Sequence, residues 1–290
     1  MSPFAEKLMD QLYEASNLRL TAIVEMARVP LSARQRVIER FSQTAYPILH
    51  QECFANLRDI GPWLFSSGEH LSLDGQYNFH CTLLEMAPDS PRAWLVSALE
   101  PSRLAHHLGQ AATARAPDGS TYLLRFYSEH AFPVLYARHD LPGIADLLAP
   151  IRSWWALEPI PQRETWRHYR CQNQPEHRAV PNIRLDQACW DALTNDPLAY
   201  RLADLLRETL AANAPGHCHG TRLAHVSKLL AEARENGLSR PEDLKDYVIF
   251  LTRYEKGLGT SHAWQAALAE ARDNALPLAQ TLKRRLFPTS

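Results

Sequence analysis

Only a few stretches of the chain carry residue types that could do chemistry. His217-Cys218-His219 is the densest group of metal-type ligands, and it stands between Pro215-Gly216 and Gly220. Adjacent side chains reach one ion poorly, and no second cluster lies at ligand spacing, so no metal is expected. His106-His107 falls on a segment with helical spacing. A histidine base needs a nucleophile or acid beside it, which the sequence does not supply, and a packed or surface histidine is the simpler account. There is no Gly-x-Ser-x-Gly elbow, no phosphate-cradling glycine loop and no His-Glu-x-x-His pair. No cofactor is expected.

Charge placed among apolar residues is more informative. Thr121–Tyr127 reads as a strand with Tyr122, Leu124 and Phe126 on one face and Leu123, Arg125 and Tyr127 on the other. A cation inside such a strand must be paired or must line a cleft, which leaves a structural ion pair and a binding role both open for Arg125. Glu25 and Arg28, at the end of the apolar run Leu20–Ala27, are spaced to form an ion pair of structural kind. Trp154-Trp155 ends a segment, Ile144–Trp155, that reads as a helix. Neighbouring helical residues point in different directions, so one of the two can reach a surface, where tryptophan is a common interface anchor.

The elements that must position these residues change in character along the chain. Residues 1–158 read as a mixed α/β lobe. Apolar runs at Leu20–Ala27, Gly61–Ser66 and Arg92–Leu99 suggest strands, and Pro101 can open a helix carrying Leu104 and Leu108. Asp74-Gly75 followed by alternating Tyr77, Phe79 and Cys81 suggests a hairpin. Pro117-Asp118-Gly119 is a turn in which proline presets φ and glycine accepts a positive one. Four prolines between Glu158 and Pro181 mark 159–182 as a linker. Residues 183–290 read as an all-helical lobe, with Gly237 ending one helix and Ser239-Arg240-Pro241-Glu242 opening the next as a capping box. The fold class expected is α+β.

Composition narrows the function classes. Hydrophobic residues make up 46% and charged residues 22% of 290, with a formal net charge of −1. That offers no strong field for nucleic acid or an acidic membrane, and neither partner is expected. The first 158 residues carry a net of −4 and the remainder +3, a modest asymmetry. Arginine supplies 26 of the 31 basic residues, which suits bidentate recognition of carboxylates but also follows from a GC-rich genome. Five cysteines with no Cys-x-x-Cys pair are neither a disulfide framework nor a zinc ribbon. Free thiols, a start lacking an apolar signal core, and no apolar run of about 20 residues lead to the expectation of a cytoplasmic protein.

The order of landmarks resembles a known family. The series runs Thr21-Ala22-Ile23-Val24-Glu25-Met26-Ala27, Gly61-Pro62-Trp63-Leu64, Trp94-Leu95-Val96-Ser97, His107-Leu108, Pro117-Asp118-Gly119, Arg125-Phe126-Tyr127, then Ala149-Pro150-Ile151 and Trp154. It is similar to the type VI secretion effector chaperones or adaptors that carry the domain of unknown function 4123, over roughly residues 20–155. The sequence departs from that pattern in having Glu25 where the family has aspartate. Ser128-Glu129-His130 stands in place of the Asp-Pro-Arg half of its arginine motif. The resemblance implies a non-enzymatic adaptor that binds a toxic effector in the cytoplasm and helps load it onto the VgrG spike. The partner site is expected around Glu25, Arg125, Tyr127 and Trp154. Two other readings compete: a small-molecule enzyme using His107 with Cys or Glu partners, and an immunity protein that blocks a toxin.

Overall fold

The apolar runs around Ala22, Trp94 and Trp154 become neighbouring strands of one sheet. Its strands are β1 (Arg19–Glu25), β2 (Ala45–Pro47), β3 (Pro62–Ser66), β4 (Pro91–Ser97), β7 (Ile151–Ile160) and β8 (Arg163–Arg170), in the order β2-β3-β1-β4-β7-β8. A smaller sheet joins β5 (Thr113–Arg115), β6 (Thr121–Leu123) and β9 (Ile183–Arg184) in the order β6-β5-β9. The helices of this part are α1 (Pro3–Tyr13), α2 (Leu31–Arg40), α3 (Leu73–Met86), α4 (Pro101–Gln110), α5 (Ala131–Ala137), α6 (Pro142–Leu148) and α7 (Gln187–Thr194). The computed structural model describes residues 2–68, 72–160, 163–194, 198–209, 219–254, 261–273 and 276–286.

Both faces of the large sheet are covered, which is why its strands read as continuous apolar runs. Successive strand residues point to opposite faces. Ala22, Val24, Trp94, Val96 and Trp155 therefore join one core with Leu8 and Leu12 of α1 and Leu83 of α3. Ile23, Leu95, Trp154 and Ala156 join the other with Leu104 and Leu108 of α4, Phe132 of α5 and Leu147 of α6. A close approach fixes α6: a Cβ on Gly143 would lie 2.2 Å from the Asn182 carbonyl oxygen, so only glycine lets the helix pack on the backbone leading into β9.

The chain divides into two compact units, Met1–Glu158 with Trp166–Asn195, and Pro159–Thr165 with Asp196–Ser290. Helices α8 (Leu198–Leu205), α9 (His219–Glu235), α10 (Pro241–Tyr254), α11 (His262–Arg272) and α12 (Leu278–Leu286) belong to the second. Their core is built on Leu202, Val226, Leu230, Val248, Trp264 and Leu282. Gly237, at φ +83°, ends α9 as expected, and Leu238 N–H closes the turn on the Ala233 carbonyl at 3.1 Å. The fold is α+β.

Several expectations need correction. Tyr77, Phe79 and Cys81 lie in helix α3, whose first turn contains Asp74-Gly75 and is capped by Ser72 Oγ accepting from Gly75 N–H at 3.2 Å. The buried residues there, Gln76, Phe79, His80 and Leu83, follow helical spacing, which overrides the accidental alternation. The expected helix Ile144–Trp155 ends at Leu148, and Trp154 and Trp155 lie on β7, opposite Leu95 and Trp94 of β4. The segment 159–182 holds β8, and residues through Asn195 belong with the first unit, so the helical part starts about a dozen residues later than position 183. Helix α10 begins at Pro241, with Asp243 in its first turn. Asp243 accepts from Arg240 Nε at 2.6 Å and from Leu278 N–H at 2.8 Å, tying α10 to α12 in place of the expected capping box. No helix among the described residues is long and apolar enough to cross a membrane.

One polar side chain is buried against aromatic rings. His80 is 3% exposed, lies 4.6 Å from the Trp94 ring and 5.9 Å from the Phe4 ring, and neither ring nitrogen meets a hydrogen-bond partner. Burial pushes its pKa down to about 4. The unfolded chain takes up this proton as pH falls through the ordinary value near 6.5, while the folded chain resists until about 4, so stability falls over that window. Denaturant unfolding from about pH 7 to about pH 5 should cost the wild type about 2 kcal/mol more than a His80→Leu variant. Equal losses in the two proteins would show that folding leaves the His80 pKa where it is in the unfolded chain.

Candidate partner-binding site

Strand β1 delivers one carboxylate to the end of the sheet. Glu25 N–H bonds the Ser90 carbonyl at 3.2 Å, and the following Met26 N–H bonds that of Gly61 at 3.0 Å. The chain then tightens into a single 3-10 turn, Met26–Arg28. That turn brings Arg28 back to its own strand end, with Nε donating to Glu25 Oε2 at 3.1 Å. The ion pair expected between these two residues is therefore formed.

The pair is part of a longer chain of charges. Arg28 also donates to Glu129 Oε1 at 3.3 Å, and Glu129 Oε2 lies 3.6 Å from Arg92 on β4. On the other side, Arg125 donates to Glu25 Oε1. The sequence Arg125–Glu25–Arg28–Glu129–Arg92 thus alternates in sign and carries three positive and two negative charges. Four of the side chains are between 1% and 9% exposed, whereas Arg125 is 52% exposed. Buried ions persist only when paired, because taking a lone charge out of water costs several kcal/mol.

Tyr127 completes the exposed end. The Arg125 guanidinium carbon stands 5.9 Å from the centre of the Tyr127 ring, within cation–π range. Burial, reinforced by the Glu25 carboxylate, pushes the Tyr127 hydroxyl up to about 12, so it keeps its proton. For Arg125, burial works against the charge and the attraction of Glu25 and Tyr127 outweighs it, raising its pKa above the ordinary value. Chemically, the arrangement offers a fixed cation beside an aromatic face, which suits a carboxylate on a partner.

The structure brings three of the four expected residues together and removes the fourth. Glu25, Arg125 and Tyr127 converge. Arg125 is not in mid-strand as expected: β6 ends at Leu123, and Ser128 N–H closes a turn on the Arg125 carbonyl at 2.9 Å. Trp154 is fully buried and stacks on Phe132 at 4.1 Å with the planes 15° apart, so it is a core residue and not the surface anchor expected. Its neighbour Trp155 is also buried, 4.5 Å from the His168 ring.

Sequence reasoning missed Arg92 and Glu129. Arg92 stands at the head of an otherwise apolar run, and a charge in that setting demands a partner. Glu129 lies in the short stretch Ser128-Glu129-His130, where no local pattern marks a partner for it.

The other chemical candidates are placed as follows. His107 Nε2 lies 3.2 Å from the Leu147 carbonyl oxygen, and burial lowers its pKa. It lines a cleft of about 310 Å³ with His106, Arg103 and His177, and among the described residues that line it there is no cysteine or glutamate of the kind expected beside it. His217 and Cys218 lie outside the described residues. Among those described, no group of three or more His, Cys, Asp or Glu could hold a metal.

The two ends of the charge row should respond differently to mutation. Glu129→Ala removes the carboxylate shared by buried Arg28 and Arg92 and should cost about 3–5 kcal/mol of stability. Arg125→Ala removes a half-exposed partner of Glu25 and should cost about 1 kcal/mol. Urea unfolding of both variants checks this, and similar losses would mean that the row is not graded from core to surface.

Residues 22–145 match the model of a family described as Domain of unknown function (DUF4123). The matched stretch contains all five members of the charge row and Tyr127, and it ends before β7. No curated protein and no solved structure matches the chain.

Proposed function

We propose that the protein is a cytoplasmic, non-enzymatic adaptor that binds a type VI secretion effector and helps load it onto the VgrG spike. The observation that carries this reading is the meeting of Glu25 and Arg125. They are 100 residues apart in sequence, both lie inside the stretch matching the family model, and both occupy positions where the sequence resembles the adaptor pattern. Their ion pair leaves the Arg125 guanidinium half exposed over Tyr127. A carrier must hold its cargo and later release it, so an interface built on an exposed, salt-screened cation suits the task.

The cargo would present an acidic residue to Arg125. Glu25 holds the guanidinium in place and Tyr127 supports it from below. Co-purification from native cells with tagged protein tests the reading. Wild type should recover a toxin-like protein, with or without the spike. Arg125→Glu, which places a carboxylate at the half-exposed end of the row, should keep its fold by circular dichroism and lose at least about tenfold of that cargo. Wild type recovered alone from cells that express the secretion system, or a charge-reversed variant that keeps its cargo, would sink the proposal. Rescue of cells from the toxin by the protein alone would favour the immunity reading instead.

A further inference from the structure

The edge of the small sheet has features that its packing does not require. β6 is the terminal strand in the order β6-β5-β9. Its pairing with β5 sets Thr113 opposite Leu123, Ala114 opposite Tyr122 and Arg115 opposite Thr121. Just outside the strands, Leu124 N–H bonds the Ala112 carbonyl at 2.8 Å and Ala116 N–H bonds that of Ser120 at 2.9 Å. Hydrogen-bonded pairs alternate along an antiparallel ladder. Tyr122 is therefore the residue that bonds to β5, and the N–H and C=O groups of Thr121 and Leu123 point away from the sheet.

That open edge is apolar. Tyr122 is 45% and Leu123 44% exposed, and the Tyr122 ring lies 4.9 Å from that of Trp190. Natural edge strands are usually guarded by charge, proline or a bulge, because unpaired backbone beside apolar side chains invites another strand. Here the residues of β6 are Thr121, Tyr122 and Leu123, with no charge among them. The surrounding charge is mostly positive. Arg125 follows two residues on with its guanidinium half exposed, and exposed Arg115 and Arg184 face each other across β5 and β9. The nearby Asp118 carboxylate is used locally, accepting from Ser120 N–H at 2.8 Å.

We propose that β6 is a strand-addition site for an extended partner segment of alternating acidic and apolar residues. The segment would bond the outward N–H and C=O groups of Thr121 and Leu123. Side chains of a strand alternate between faces, so its apolar ones would cover Tyr122 on one face while its acidic ones lie on the Leu123 face and reach towards Arg125. Backbone bonds supply adhesion in this mode, and alternate side chains supply choice of partner. This inference deepens the adaptor reading and rests on it for the partner's identity, while the contact itself is tested without that partner.

The probe is the blocked peptide acetyl-Glu-Val-Glu-Val-Glu-Val-amide, with the lysine counterpart as control. Amide exchange and NMR shifts on the full chain should show the Thr121 and Leu123 amides becoming protected on binding. The lysine peptide should bind at least about tenfold more weakly. Leu123→Pro deletes one outward N–H without touching the Tyr122–Ala114 pair and should abolish protection. Leu123→Ala keeps the N–H and should weaken binding only a few-fold, which decides the matter if the proline variant does not fold. No protection at Thr121 and Leu123 in the wild type, or equal binding of the acidic and lysine peptides, overturns the proposal. Cargo recovery without protection at these amides would remove strand addition and leave the adaptor reading. Peptide binding without any cargo would do the reverse.

Discussion

Glu25 ends a strand whose residues Leu20 to Val24 are all buried and, Thr21 apart, apolar, so its carboxylate has to be neutralised where it stands. Arg28 does this from the next turn and Arg125 from a segment 100 residues further along the chain. Each cation then imposes its own requirement. Arg28 needs Glu129 as well, and Glu129 also answers Arg92, which is 1% exposed on the neighbouring strand. The end of β1, the head of β4 and the segment between β6 and α5 are thereby fixed to one another by charge, where apolar packing alone would tolerate sliding. Removing any inner member leaves an opposite charge stranded in a poorly solvating interior.

The position of Arg125 follows from this. It is the member of the row whose loss exposes little, and the one that a partner can reach. β6 ends two residues before it, so the open strand edge and the exposed cation belong to the same short stretch of chain. The row is graded from the core, where Arg92, Glu129, Arg28 and Glu25 are buried, to Arg125, which is half exposed. Tyr127 stays protonated beneath the guanidinium and gives it an apolar floor.

Much of this was legible in the sequence, and the failures have physical causes. The strands with continuous apolar runs were readable, as were the Pro117-Asp118-Gly119 turn, the Gly237 stop and the local Glu25–Arg28 pair, because each depends on residues close together in the chain. The order of landmarks pointed to Glu25 and Arg125 as important, but nothing local indicated that they touch. Trp154 was misplaced because an apolar segment buried on both sides of a sheet carries no period that separates strand from helix. The misread hairpin in α3 arose from alternation over only a few residues, a length at which both periods fit. Arg92 and Glu129 were overlooked although each was a charge in an apolar setting, since the pairing that explains them joins residues distant in sequence.

The same separation has a consequence for how the protein is made. Glu25 emerges from the ribosome 100 residues ahead of Arg125, and Arg28 leads Glu129 by 101. At ordinary rates of synthesis that interval is roughly 5–20 seconds. Throughout it, Glu25 has Arg28 but not Arg125, and Arg28 lacks Glu129, so burying the end of β1 costs more than it does in the finished chain. The row is thus completed only when the segment bearing Arg125 and Glu129 has been made.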